Sequence, residues 1–184
     1  MIHRELLMAT AIIASVITTG CSDMTAPKKL ITGDGPAAAQ LAPAWGSATV
    51  VATINGGGTA NMDDGAGTSH WGTGVKLMSD GSATGQFDCV DDHGSMPGYP
   101  GNVWGRVTSW STDAQGLITL NVPTSKFVPI PGGHPTNIPF RVTIQRFGGA
   151  GVGHWTLAIP DGAGGWVTVC FETLTSGQIV IRRA

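Results

Sequence analysis

From Trp45 onward, apolar and polar residues alternate with a period of two in short runs separated by glycine and aspartate, the pattern of half-buried strands joined by turns. About nine strands are predicted: Ala48–Asn55, His70–Leu77, Ala83–Val90, Val103–Ser111, Leu117–Val122, Pro139–Arg146, Gly153–Ile159, Trp166–Glu172 and Gly177–Arg182. Ser79-Asp80-Gly81-Ser82 and Asp113-Ala114-Gln115-Gly116 supply the Gly and Asp that tight hairpins require, so consecutive strands are expected to be antiparallel neighbours. Prolines at 123, 129, 131, 135 and 139 cannot donate ladder hydrogen bonds, and the segment between them reads as a long crossover or edge loop. About nine short strands in roughly 140 residues predict an all-β fold, an antiparallel β-sandwich or jelly roll over residues 45–184.

The chain ahead of Trp45 follows a different pattern. Leu6 to Thr19 is apolar and uncharged, with no amphipathic period. It falls short of the roughly 20 residues a spanning helix needs. Residues 1–20 therefore read as a secretory signal peptide, which puts the rest of the chain outside the cytoplasm. Residues 21–44, interrupted by Pro27, Pro36 and Pro43, read as a flexible tether.

Composition agrees with this division. Charged residues make up only 12% of the chain while glycine numbers 28 and proline 11, too few charges for long solvated helices and enough turn formers for many strands. The net charge of −2 and the absence of a basic cluster argue against a nucleic-acid partner. Cys89 and Cys170 would share an oxidising compartment, which allows a disulfide between them. Alternation puts Cys89 on the apolar face with Phe87. It puts Cys170 opposite the set Val167, Val169 and Phe171, so pairing inside a core needs a bulge or a strand buried on both sides.

Two resemblances to known families add expectations. Thr18-Thr19-Gly20-Cys21 resembles the lipobox of bacterial lipoproteins, with Thr18 standing where an aliphatic residue is usual. That resemblance implies lipid on Cys21 after cleavage, and a membrane anchor at the bacterial cell envelope, on the outer membrane or cell surface. The order of Gly56-Gly57-Gly58-Thr59, Gly85-Gln86-Phe87, Asp92-His93, Val103-Trp104-Gly105-Arg106-Val107-Thr108-Ser109 and Gly177-Gln178-Ile179-Val180-Ile181-Arg182 resembles a secreted bacterial β-module. That module is found alone or at the C-terminus of surface-anchored, "choice-of-anchor"-associated proteins. It implies a fold and a location, and no established activity.

Candidate chemistry is sparse. Glu172 is the only glutamate beyond the leader, and neither His-Glu-x-x-His nor Gly-x-Ser-x-Gly occurs, so a conventional hydrolase is disfavoured and no enzyme is predicted. Asp88, Asp91, Asp92 and His93 form the densest group of ionisable ligands. They read first as a solvated loop and second as a metal site, in which the carboxylates suit calcium and the imidazole zinc or copper. Asn61-Met62-Asp63-Asp64-Gly65 reads as a turn. Six tryptophans against one tyrosine is unusual, and strict alternation over Val103–Ser111 puts Trp104, Arg106 and Trp110 on one face. Exposed, they would make a platform for polysaccharide; turned inward, they would be core. The expected function is a non-catalytic, lipid-anchored binding module for polysaccharide or another envelope component; the alternative is a structural or adhesive domain that grips a surface protein, and an aspartate- or metal-dependent enzyme ranks third.

Overall fold

A computed structural model describes residues 47–65, 67–91, 101–129 and 133–184; the leader, the tether, Cys21 and Trp45 lie outside it. Twelve strands follow in chain order: β1 (Val50–Met62), β2 (Thr68–Met78), β3 (Ser82–Asp91), β4 (Gly101–Thr112), β5 (Ile118–Val122), β6 (Ser125–Pro129), β7 (Thr136–Asn137), β8 (Phe140–Arg146), β9 (Gly148–Gly149), β10 (His154–Pro160), β11 (Trp166–Leu174) and β12 (Gln178–Arg183). Each of the nine expected strands has its counterpart. The three additions are the short β7 and β9, and β6 within the proline-rich segment, which pairs with β4 and β7 and carries Pro129 at its end.

The fold is all-β and antiparallel, but it is a closed barrel and not a sandwich or jelly roll. The ring runs β1-β2-β3-β4-β5-β8-β10-β11 and returns to β1 through Ala60↔Leu174, Asn61↔Thr173 and Met62↔Glu172. Closure depends on the length of β1, which runs straight through Gly56-Gly57-Gly58, where the alternation stops at Asn55. Along one edge β1 pairs with β2 over most of its length; along the other it pairs with β12 from Ala52 to Gly57 and then with β11 from Ala60. A strand long enough to serve two partners on one edge removes the open edges that a sandwich would leave.

The predicted turns form as their chemistry requires. Gly81 and Gly116 take φ of 82° and 81°. Asp80 Oδ1 accepts from the backbone N–H of Ser82, and Asp113 Oδ1 from those of Gln115 and Leu117.

Inside the ring, Trp71, Phe87, Phe140 and Trp155 fill the middle of the barrel. Phe87 meets Trp155 edge-on at 5.2 Å and Phe140 at 6.0 Å, and Trp71 lies 6.1 Å from Trp155. Apolar side chains point in, while Lys76, Arg106, Thr108 and Arg141 point out. That is the reverse of a membrane-spanning barrel, whose outer band is apolar. The outer wall is therefore built for water, and ligand recognition has to be sought there or at the barrel ends.

Candidate functional site

Trp104, Arg106 and Trp110, which could make a platform or turn into the core, do not share one face. Trp104 faces outward, opposite Asp88 and Lys126, with the Lys126 ammonium 5.7 Å above its ring. Arg106 is also exposed. Trp110 instead pairs with Leu120, which is fully buried, and its Nε1 donates to Met78 O at 2.9 Å. The parity changes at a bulge, where Ala83 and Thr84 of β3 oppose Thr108 alone between the pairs Ser82↔Ser109 and Gly85↔Val107. No feature of β4 alone announces this shift.

A different aromatic group takes the place of the lost one. Trp166, at the start of β11, carries the Arg141 guanidinium 4.0 Å from its ring centroid. Both border an open groove floored by Thr108 and Ser109 of β4 and Asn121 of β5, with Pro123 at its rim. The register explains the convergence, since Asn121 lies opposite Ser109 on one side and Arg141 on the other. Parity within β11 alone places Trp166 outward, but the partner strands that complete the groove are remote in sequence.

Asp88 and Asp91 point to opposite faces of β3, so they do not form one ligand set. Asp88 lies on the outer wall, and desolvation there raises its carboxyl above the usual range. Asp91 is buried, and its N–H donates to Asn102 Oδ1 at 2.9 Å. Asp92 and His93 lie outside the described residues. Among the described residues no group of three or more His, Cys, Asp or Glu is placed to hold a metal ion.

Both Cys89 and Cys170 are free thiols, and they line the same small cavity together with Asp91 and apolar side chains of β4, β6 and β10. Cys170 is turned inward by a bulge at Val169, between the pairs Leu157↔Cys170 and Ala158↔Thr168, which reverses the parity of β11. The disulfide that the sequence allows is not formed, and the two remain separate thiols. β3 and β11 are separated in the ring by β2 and β1, so at roughly 4.8 Å per strand the wall between them spans about 14 Å. A disulfide needs Cα atoms about 4.4–6.8 Å apart. The cavity that the thiols help to line has a volume of about 30 Å³, room for roughly two waters.

Glu172 lies next to this cavity and is fully buried. Burial, against a hydrogen bond from Ser69 Oγ to Oε2 and reinforced by the charges of Asp91 and Asp63, pushes its carboxyl up to about 8. Its Oε1 has no hydrogen-bond partner among the described residues, as suits a neutral acid better than an anion. Burial, and then the Glu172 charge, push both thiols well above their ordinary range. Glu172 and the two thiols are thus uncharged at neutral pH, and the thiols are not activated nucleophiles. On the outer side of the same seam, the turn after β1 places Asp63 so that its carboxylate accepts from Thr173 Oγ1 and bonds His154 Nε2, each at 2.8 Å. Asp63 thus ties the turn after β1 to β10 and β11, and Glu172 links β11 to β2.

No protein-family model, curated protein or solved structure matches the chain.

Proposed function

We propose that this chain is an exported, lipid-anchored protein of the bacterial cell envelope whose barrel is a non-catalytic module for polysaccharide. The observation that carries the binding part is the Trp166–Arg141 pair beside a groove of Thr108, Ser109 and Asn121. An indole face suits the C–H surface of a sugar ring, and hydroxyl and amide groups suit its hydroxyls. Replacing Trp166 with Ala is expected to weaken retention on an immobilised envelope polysaccharide by at least about tenfold, in line with an aromatic anchor worth 1.4 kcal/mol or more. Melting temperature monitors folding in the same samples. Retention equal to wild type would remove the groove from consideration.

The export part rests on the apolar run Leu6–Thr19 and on Gly20-Cys21. A fatty-acid analogue fed to cells is expected to label the wild type and not Cys21→Ser. Equal labelling of the two would end the lipid reading. The alternative, a structural or adhesive domain that grips a surface protein, has one specific feature in its favour: Phe171 is 49% exposed on the outer side of β11.

A further inference from the structure

Charge is distributed unevenly around the barrel. β4, β5, β6 and β8 carry Arg106, Lys126, Arg141 and Arg146 and contain no Asp or Glu, although the whole chain has a net charge of −2. None of these four cations forms an ion pair among the described residues; the pair seen there joins Asp63 to His154. The domain's carboxylates lie elsewhere. Asp80, Asp113 and Asp161 accept backbone N–H groups in their own turns, and Asp91 and Glu172 are buried. Asp63 and Asp64 follow β1, and Asp88, on β3, borders the cationic wall at Trp104.

Two of the cations are also paired with the outward tryptophans, Lys126 with Trp104 and Arg141 with Trp166. Arg106 lies on β4 two residues beyond Trp104. Positive charges and flat aromatic surfaces therefore alternate with Thr108, Ser109 and Asn121 over one continuous wall. We infer that the wall formed by β6, β4, β5 and β8 selects acidic polysaccharide, a polymer whose sugars carry carboxylates. This rests on the polysaccharide reading above and adds its charge class. The cations supply long-range attraction and bonds to the polymer's acid groups, and the indoles and neutral polar groups read its sugar faces.

The test uses detergent-solubilised full-length protein and four immobilised polymers: polygalacturonate, alginate, neutral dextran and single-stranded DNA. Expected are binding to one or both uronate polymers at least about tenfold tighter than to dextran, weakening as salt rises, and DNA binding well below that of the uronates. Arg106→Gln combined with Lys126→Gln is expected to lose about tenfold on the uronates and most of the salt dependence of that binding. Neither residue is part of the Trp166–Arg141 pair, and Arg106→Lys with Lys126→Arg should restore binding. Equal affinity for neutral and acidic polymers, with the same response to salt, overturns the charge inference and leaves the polysaccharide reading standing. Binding to no glycan overturns both. DNA bound as tightly as uronate also overturns the inference, because the wall would then be a general polyanion surface.

Discussion

Glu172→Gln is expected to raise the melting temperature at pH 8 by on the order of 10 °C and to leave it nearly unchanged at pH 4. Below its unfolded value of about 4.5, the carboxyl is protonated in both the folded and the unfolded chain. Between 4.5 and about 8 the folded chain holds a proton that the unfolded chain has released. Stability therefore falls by about 1.4 kcal/mol per pH unit across that window and levels off above it. The summed loss is roughly 4 to 5 kcal/mol, a large share of what holds a domain together.

Every charged group facing this carboxyl works in the same direction. Asp91 from β3 and Asp63 from the turn after β1 raise it further, Cys89 and Cys170 stay protonated, and only the Ser69 hydroxyl opposes them. Asp63 itself behaves oppositely. Its burial raises it, but hydrogen bonds from His154 and Thr173 outweigh that and leave it lowered, so its contribution is lost as pH falls through the acid range. Thermal melts of wild type and variant at pH 4, 6 and 8 make the comparison. Parallel pH dependences for the two proteins would show that Glu172 is not the group responsible.

The second large effect is expected at Gly58, where Ala should cost about 3 kcal/mol or more and leave little folded protein at 37 °C. Gly58 sits where β1 passes from β12 to β11, with φ at 149°, and a Cβ there would overlap the Ser176 carbonyl. The surrounding backbone cannot retreat. Thr59 O accepts from the N–H groups of Thr175 and Ser176 at 2.9 and 3.1 Å, and Thr59 N donates to Ser176 Oγ at 3.0 Å. Gly65→Ala is the control. Its φ of 74° is also unfavourable for alanine, but nothing lies within 4 Å of the added methyl group, so about 1 kcal/mol is expected. Chemical denaturation of both variants tests this, and equal losses would mean that the seam does not constrain Gly58.

Much of the strand content was legible because alternation and turn chemistry are local. The Gly and Asp residues that made Ser79–Ser82 and Asp113–Gly116 hairpin candidates are those that supply the positive φ and the side-chain acceptors. Cys170 and Trp110 were misplaced for one reason: strict alternation carries each assignment forward unchanged, and a single bulged residue on either strand reverses everything beyond it. Glu172 stood out in the sequence as the sole glutamate after Glu5, yet nothing nearby in the chain shows that it is buried. Its neighbours Ser69 and Asp91 come from β2 and β3, 103 and 81 residues away in the chain.

By itself, then, the sequence determined an all-β domain, its strands and its hairpins, because periodicity, turn residues and composition act within a few positions of one another. Tertiary structure alone decided that β1 reaches β11 and closes the sheet, that two bulges re-aim Trp110 and Cys170, that Arg141 covers Trp166, and that Glu172 loses its solvent. Each of these depends on which distant strands become neighbours and in which register, and that choice is made by the barrel's collective packing and hydrogen bonding and not by any one segment.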